Sequence, residues 1–273
     1  MYPIKQCIER YLERKAIYDK GRTIELYRTW LLRFHQLSHK ELEKVDFDDI
    51  LRFTRLLKVR YSEGTVQLVL RILKGYLQFY ERRGFHFETE DLRIPRARIN
   101  SYEPITPDEY VSLLSFIKAD TFKGLRDNVI IRLLYDTGAR VWELCSLEKE
   151  QLDLEDRTAY IWTEKTVEKR LIGWGNDTNV FLKTYLSMNP HPLFPTTRQV
   201  ERIVTKYVKI TGIKKHIVPH SFRHGRAHLI LDNGGSVKAV QEILGHLSPT
   251  SSFRYLNLNR KEKLKQLDRF LND

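Results

Sequence analysis

Through the first third of the chain, apolar residues recur at spacings near three and four, and the recurrences fall into separate blocks. Ile8, Leu12 and Ala16 form the first, and Ile24, Leu26, Tyr27, Trp30, Leu31 and Phe34 the second, with Gly21 between them. Such spacing lines up one apolar face along an α-helix. A third helix is predicted over 48–60, where Ile50, Leu51, Phe53, Leu56 and Leu57 follow acidic residues that suit the positive end of a helix dipole. The fourth starts at Ser62, runs through Val66, Leu70, Leu73, Leu77 and Tyr80, and stops at Gly84. Helices joined by short connections predict a compact four-helix domain over 1–87.

The periodicity lapses over 88–107, a stretch that holds Pro95, Pro104 and Pro107. A linker is expected there, placed at 88–103, with a second domain over 104–273. Asp108 is expected to cap a helix that runs to about 118, and a further helix over 125–136 should end at Gly138. TAYIWT (158–163) and KRLIGW (169–174) are rich in β-branched and aromatic residues around a polar turn, which predicts a β pair. Helical spacing resumes over 179–186, 199–210, 221–231, 236–244 and 261–271. The expected fold class is mainly α, with a small antiparallel β-sheet in the second domain.

A length of 273 residues gives each of two domains enough chain to bury its own core. The longest apolar run, 129–135, is interrupted by Arg132 and is far short of the ~20 residues a membrane span needs. The first residues mix charge with apolar side chains and show no secretory pattern. Cys7 and Cys145 are the only cysteines, which excludes a disulfide framework and a cysteine-based zinc site. These features lead to the expectation of a cytoplasmic protein with no membrane partner. The formal net charge is +12, and residues on both sides of Pro95 contribute to it. An excess of this kind points to a polyanion as partner. Arg93, Arg96 and Arg98 in the connector are candidates for contact with a phosphate backbone.

The candidate chemistry concentrates toward the C-terminus. His220, Arg223 and His224 sit in VPHSFRHGRAH, His246 follows Leu244 and Gly245, and Tyr255 comes nine residues later. Upstream, Arg140 follows Thr-Gly-Ala, and Lys165 lies in the turn of the β pair. Phosphodiester chemistry without a metal needs fixed cationic donors aimed at the non-bridging oxygens, where charge builds up in the transition state. Guanidinium groups supply rigid forked donors for that purpose. A tyrosine hydroxyl can act as the attacking nucleophile, and a lysine can protonate the departing sugar oxygen. Arg140, Lys165, His220, Arg223, His246 and Tyr255 fill those roles together.

The same residues carry a family resemblance. TGARVWEL (137–144) resembles the first arginine box of the tyrosine recombinases, the phage-integrase and Xer-like site-specific recombinases, and HSFRH (220–224) resembles their His-x-x-Arg-His box. LGHLSPTSSFRY (244–255) is similar to the segment that ends in the family's nucleophilic tyrosine. EKTVEKRLIGW (164–174) resembles its β-hairpin lysine motif, with Lys165 at the catalytic position and Lys169 as the alternative. The sequence departs from the family pattern at Glu164 and Thr166, where glycines are common, at Gly173 in place of a frequent proline, and at Gly225 in place of a common threonine. The helical front region is similar to the family's core-binding (SAM-like) domain, and the chain's start directly on that region leans toward the Xer-like kind.

The resemblance implies an enzyme that cuts and rejoins double-stranded DNA through a 3′-phosphotyrosyl intermediate, without cofactor, metal ion or ATP. Glu143 and His224 would support the reacting groups rather than react. It also implies a homo-tetramer on two duplexes, assembled through the C-terminal helix at 261–271, with a nucleoid-associated location and room for accessory proteins. A type IB topoisomerase-like or telomere-resolving enzyme would share the phosphotyrosine step, and a regulator on the same fold would bind DNA without cutting it. A metal-dependent nuclease would need a carboxylate cluster, and none is evident in the sequence.

Overall fold

The structure is a computed structural model that describes residues 3–19, 21–95, 102–162 and 169–245. Its contacts divide the chain into two units, 1–100 and 101–273.

The N-terminal unit holds the expected helices: α1 (Ile4–Ala16), α2 (Gly21–Ser38), α3 (Phe47–Arg60) and α4 (Glu63–Glu81). Gly21 opens α2 rather than lying between helices. Asp46 caps α3, accepting the backbone N–H of Asp49, and Ser62 caps α4, accepting that of Thr65. Each cap satisfies a donor that the first turn of a helix leaves without a partner. The periodic apolar positions form the core, with Ile8, Leu12, Leu31, Phe34, Ile50, Leu57, Leu70 and Leu77 all buried. After α4 the chain keeps to the same unit. Phe87 and Leu92 enter its core, the Glu81 carboxylate accepts the backbone N–H and the hydroxyl of Thr89, and Lys74 donates to the Leu92 carbonyl.

Buried within this core, His35 has its Nε2 3.0 Å from the Tyr76 hydroxyl. Desolvation pulls its imidazole down to about 4. The folded state therefore binds its proton less readily than the unfolded chain, and stability falls as pH drops from about 6.5 toward 4. The full contribution is of order 3 kcal/mol. Thermal unfolding followed between pH 7 and 4.5 should show this slope, and His35→Gln should flatten it; an unchanged slope would contradict the assignment.

The C-terminal unit comprises α5 (Pro107–Ser115), α6 (Phe122–Thr137), α7 (Val141–Cys145), β1 (Leu152–Asp153), β2 (Thr158–Trp162), β3 (Lys169–Gly173), α8 (Asn176–Ser187), α9 (Thr197–Thr211), α10 (Pro219–Asp232) and α11 (Val237–Leu244). The sheet is antiparallel in the order β1-β2-β3, with Ala159 opposite Ile172 and Ile161 opposite Arg170. At the centre, α6 buries Val129, Ile130, Ile131, Leu133 and Leu134, which explains why its apolar pattern runs nearly all round the helix. Arg132, the charge in that run, donates to Asn128 and lies 4.3 Å from the centre of the Phe181 ring.

Two local expectations need correction. The cap of α5 is Thr106, not Asp108: its hydroxyl accepts the Glu109 N–H while the Glu109 carboxylate accepts that of Thr106, and Asp108 sits in the first turn. Helix α10 starts at Pro219 rather than Ser221, since proline at the first helical position costs no hydrogen bond. That earlier start places His220 and Arg223 one turn apart on a single helix. Gly225 is buried inside α10 where the backbone of Ile105 crosses it. A Cβ there would stand 2.5 Å from the Ile105 carbonyl oxygen, and one turn earlier the Ile105 N–H donates to the carbonyl of Ser221. The glycine is required by that close approach, so the family's threonine would not fit without a shift of backbone.

Candidate active site

The turn after α6 presents the first arginine. Gly138 closes the helix in the left-handed conformation, φ +56°, and a Cβ on it would meet the Leu244 side chain at 2.5 Å. Glycine alone meets both demands. Arg140 then caps α7, and Glu143 lies one turn further on.

Glu143 is 0 % exposed, and donors reach both of its carboxylate oxygens. Oε1 accepts Nη1 of Arg140 at 2.7 Å, while Oε2 accepts the Arg140 backbone N–H at 2.8 Å and Nη2 of Arg170 at 2.8 Å. Burial by itself would raise this carboxyl. The Arg170 charge and the hydrogen bonds outweigh burial and hold it below the usual carboxylate range. Glu143 is therefore an anion at neutral pH, shared between two guanidinium groups. The Arg140 side chain remains 29 % exposed, and among the described residues its Nε and Nη2 take no acceptor. A cation pinned from behind by a buried carboxylate, with donors left over, is suited to hold an outside anion.

Arg170 lies on β3 and is 9 % exposed. Its Nη1 donates to the Ile243 carbonyl at 2.7 Å, in the last turn of α11. Arg223, on α10 and 4 % exposed, donates from Nη1 to the Gly138 carbonyl at 2.7 Å and from Nη2 to the Leu244 carbonyl. The buried arginines thus fasten the end of α11 to the Arg140 turn. His220 is solvent-accessible, with the Tyr102 ring stacked on it at 5.9 Å between centres. Desolvation, then the charges of Arg223 and Arg140, draw its imidazole below the ordinary range and leave it neutral near pH 7. His224 is half-buried on the same helix.

The structure therefore brings Arg140, Glu143, His220 and Arg223 together at the C-terminal end of α11. Lys165, His246, Tyr255, Arg96, Arg98 and the helix expected at 261–271 lie outside the described residues. Arg93 is exposed in the N-terminal unit. Lys169 stands opposite Trp162 across the sheet, its ammonium 4.8 Å from the centre of the indole ring. It occupies the exposed face of β3, opposite the face on which Arg170 reaches Glu143. Sequence reasoning assigned no role to Arg170 or Tyr102. For Arg170 a signal existed, because strand alternation puts 170 on the same inward face as Ile172. Among the described residues no group of His, Cys, Asp and Glu side chains could hold a metal ion, and no helix is long and apolar enough to cross a membrane.

Comparison with known proteins adds sequence evidence to this geometry. Residues 103–262 match the model of the phage integrase family. The chain is 30% identical to a tyrosine recombinase XerC of Thermodesulfovibrio yellowstonii, over 92% of this chain and 90% of that protein. It is likewise 30% identical to a tyrosine recombinase XerA of Pyrococcus furiosus, over 95% of this chain and 91% of the relative. Among solved structures, a lambda integrase dimer bound to a COC′ core site superposes with a TM-score of 0.75 at 18% identity, covering 91% of this chain and 75% of the integrase chain. That likeness concerns the fold alone.

Proposed function

Because the chain belongs to the phage integrase family of tyrosine recombinases, enzymes that cut and rejoin DNA at specific sites, we propose that it exchanges DNA strands through a covalent bond to Tyr255. In the proposed first step the Tyr255 phenolic oxygen attacks a backbone phosphorus and gives up its proton to water. The bond from phosphorus to the 5′ oxygen breaks, and Lys165 gives that oxygen a proton. The products are a 3′-phosphotyrosyl ester and a 5′-hydroxyl. The ester conserves the phosphodiester bond energy, so a 5′-hydroxyl of another strand reverses the step and completes the exchange without ATP.

Arg140, Arg223, His220 and His246 would hold the phosphoryl oxygens, each supplying donors where negative charge grows. Glu143 would fix Arg140, and His224 would support its neighbours on α10. The observation that carries this reading is the convergence of Arg140, His220 and Arg223 on the end of α11, the point from which the chain leads to His246 and Tyr255. The position of Lys169 on the other face of β3 favours Lys165 as the proton donor. Double-stranded DNA as partner agrees with the +12 charge, and phosphate contacts by Arg93, Arg96 and Arg98 would make binding fall steeply with salt. A core-binding role for 1–87, a catalytic role for 104–273, a tetramer joined through 261–271 and a place on the nucleoid belong to the same proposal.

A nicked duplex whose cut releases a short, diffusible end tests the reading, because cleavage on it is trapped. We expect a protein–DNA adduct that survives denaturant and forms equally well in excess EDTA. Tight binding with no adduct on any duplex taken from a randomised pool would favour the regulator instead, and loss of cleavage in EDTA would favour a metal nuclease.

A further inference from the structure

Arg170 joins parts of the fold that the reaction needs held in register. It is the second residue of β3, five residues after Lys165 in the chain. One end of its guanidinium meets the carboxylate that fixes Arg140; the other meets the Ile243 carbonyl, three residues before His246. The Nε atom is buried and has no acceptor among the described residues. Burying a guanidinium is costly, and a surface-facing lysine or an apolar residue would serve a strand as well. The cost is offset only by a carboxylate and a carbonyl placed at opposite ends of the fork.

From this geometry we propose that Arg170 is a positioning residue for strand cleavage, which locks Arg140 and the C-terminal end of α11 to strand β3. The inference rests on the reading of Tyr255, Arg140 and Lys165 given above. The arginine would tie strand β3, which follows Lys165 in the chain, to the end of α11, from which the chain leads on to Tyr255. Arg170 itself touches no reacting atom: without it, Glu143 keeps Arg140 as its sole guanidinium partner, and the α11 carbonyl loses a donor.

The test uses the full chain and one duplex recovered by covalent capture from a randomised pool, made with an ordinary phosphate or a methylphosphonate at the cut position. The methylphosphonate lacks one negative charge, so its cleavage depends less on a well-placed Arg140. Single-turnover adduct formation by Arg170→Met should slow by about 10²-fold on the phosphate, the scale set by a misplaced catalytic group. On the methylphosphonate the loss should shrink severalfold. Arg170→Lys, which keeps the charge and part of the hydrogen bonding, should recover part of the rate; if Arg170→Met does not fold, it carries the same two-substrate ratio. Equal losses on both substrates, or none on either, would overturn the role given to Arg170. A wild-type chain that leaves no adduct would instead overturn the reading of Tyr255, and this inference with it, so the wild-type control tells the failures apart.

Discussion

Tyr255→Phe is expected to bind duplex DNA as the parent chain does and to leave no covalent adduct. The substitution removes one oxygen atom. If that oxygen is the nucleophile, no ester can form, and adduct formation should fall by at least about 10⁴-fold, the scale seen when a covalent catalyst loses its attacking atom. Binding is expected to draw on many phosphate contacts, as the net charge of +12 suggests. A single hydrogen bond of about 0.5–1.5 kcal/mol is the most the phenol adds to them, so Kd should change by less than about tenfold. Gel-shift titration and a denaturing gel on the same nicked duplex measure both quantities. Adduct at the parent level would assign the nucleophile elsewhere.

Glu143→Gln is the second large effect. The side chain is fully buried, and donors approach both of its oxygens: Nη1 of Arg140 on one, the Arg140 backbone N–H and Nη2 of Arg170 on the other. A glutamine keeps the shape but turns an NH₂ group toward one of those donors and leaves two guanidinium groups without their counter-charge. Breaking a buried ion pair from one side costs about 3–5 kcal/mol, so thermal unfolding of the C-terminal unit should move down by many degrees. Cleavage by the folded fraction should slow by about 10²-fold through the loosened Arg140. The depressed Glu143 carboxyl also gives a direction with pH. Its stabilisation is complete above the unfolded carboxylate pKa and is lost as pH falls through the lower folded value, and Glu143→Gln should abolish that loss. Unchanged unfolding and unchanged cleavage would contradict the role assigned to this carboxylate.

Long amphipathic stretches were legible because burial imposes their period. Ile8, Leu12, Leu31 and Phe34 lie in the N-terminal core, as the spacing of three and four requires. Short elements leave too few residues for a period to show, which is why α7, of 5 residues, and β1, of 2 residues, had no counterpart in the sequence reading. Thr106-Pro107-Asp108-Glu109 carries the pattern of a capping box, and Asp108, itself a residue type that caps helices, stands in the first turn beside it, so residue type alone does not separate the two. At the site, Arg140, His220 and Arg223 are candidates by residue type and order, and the fold brings them to one place. That Arg223 would spend donors on the Gly138 and Leu244 carbonyls could not be read, since both contacts join residues far apart in the chain. Arg170 was hidden for a related reason: alternation placed it inward, but only packing reveals that Glu143 and Ile243 wait for it there.

The most direct measurement is chemical identification of the linkage. Adduct formed on a nicked duplex would be digested with nuclease and protease, and the peptide that retains a nucleotide would be sequenced by mass spectrometry. The account predicts one modified peptide, with the 3′-phosphate esterified to Tyr255 and a 5′-hydroxyl on the released strand. A nucleotide carried by any other residue, or a 5′-phosphoryl linkage to the protein, would contradict it.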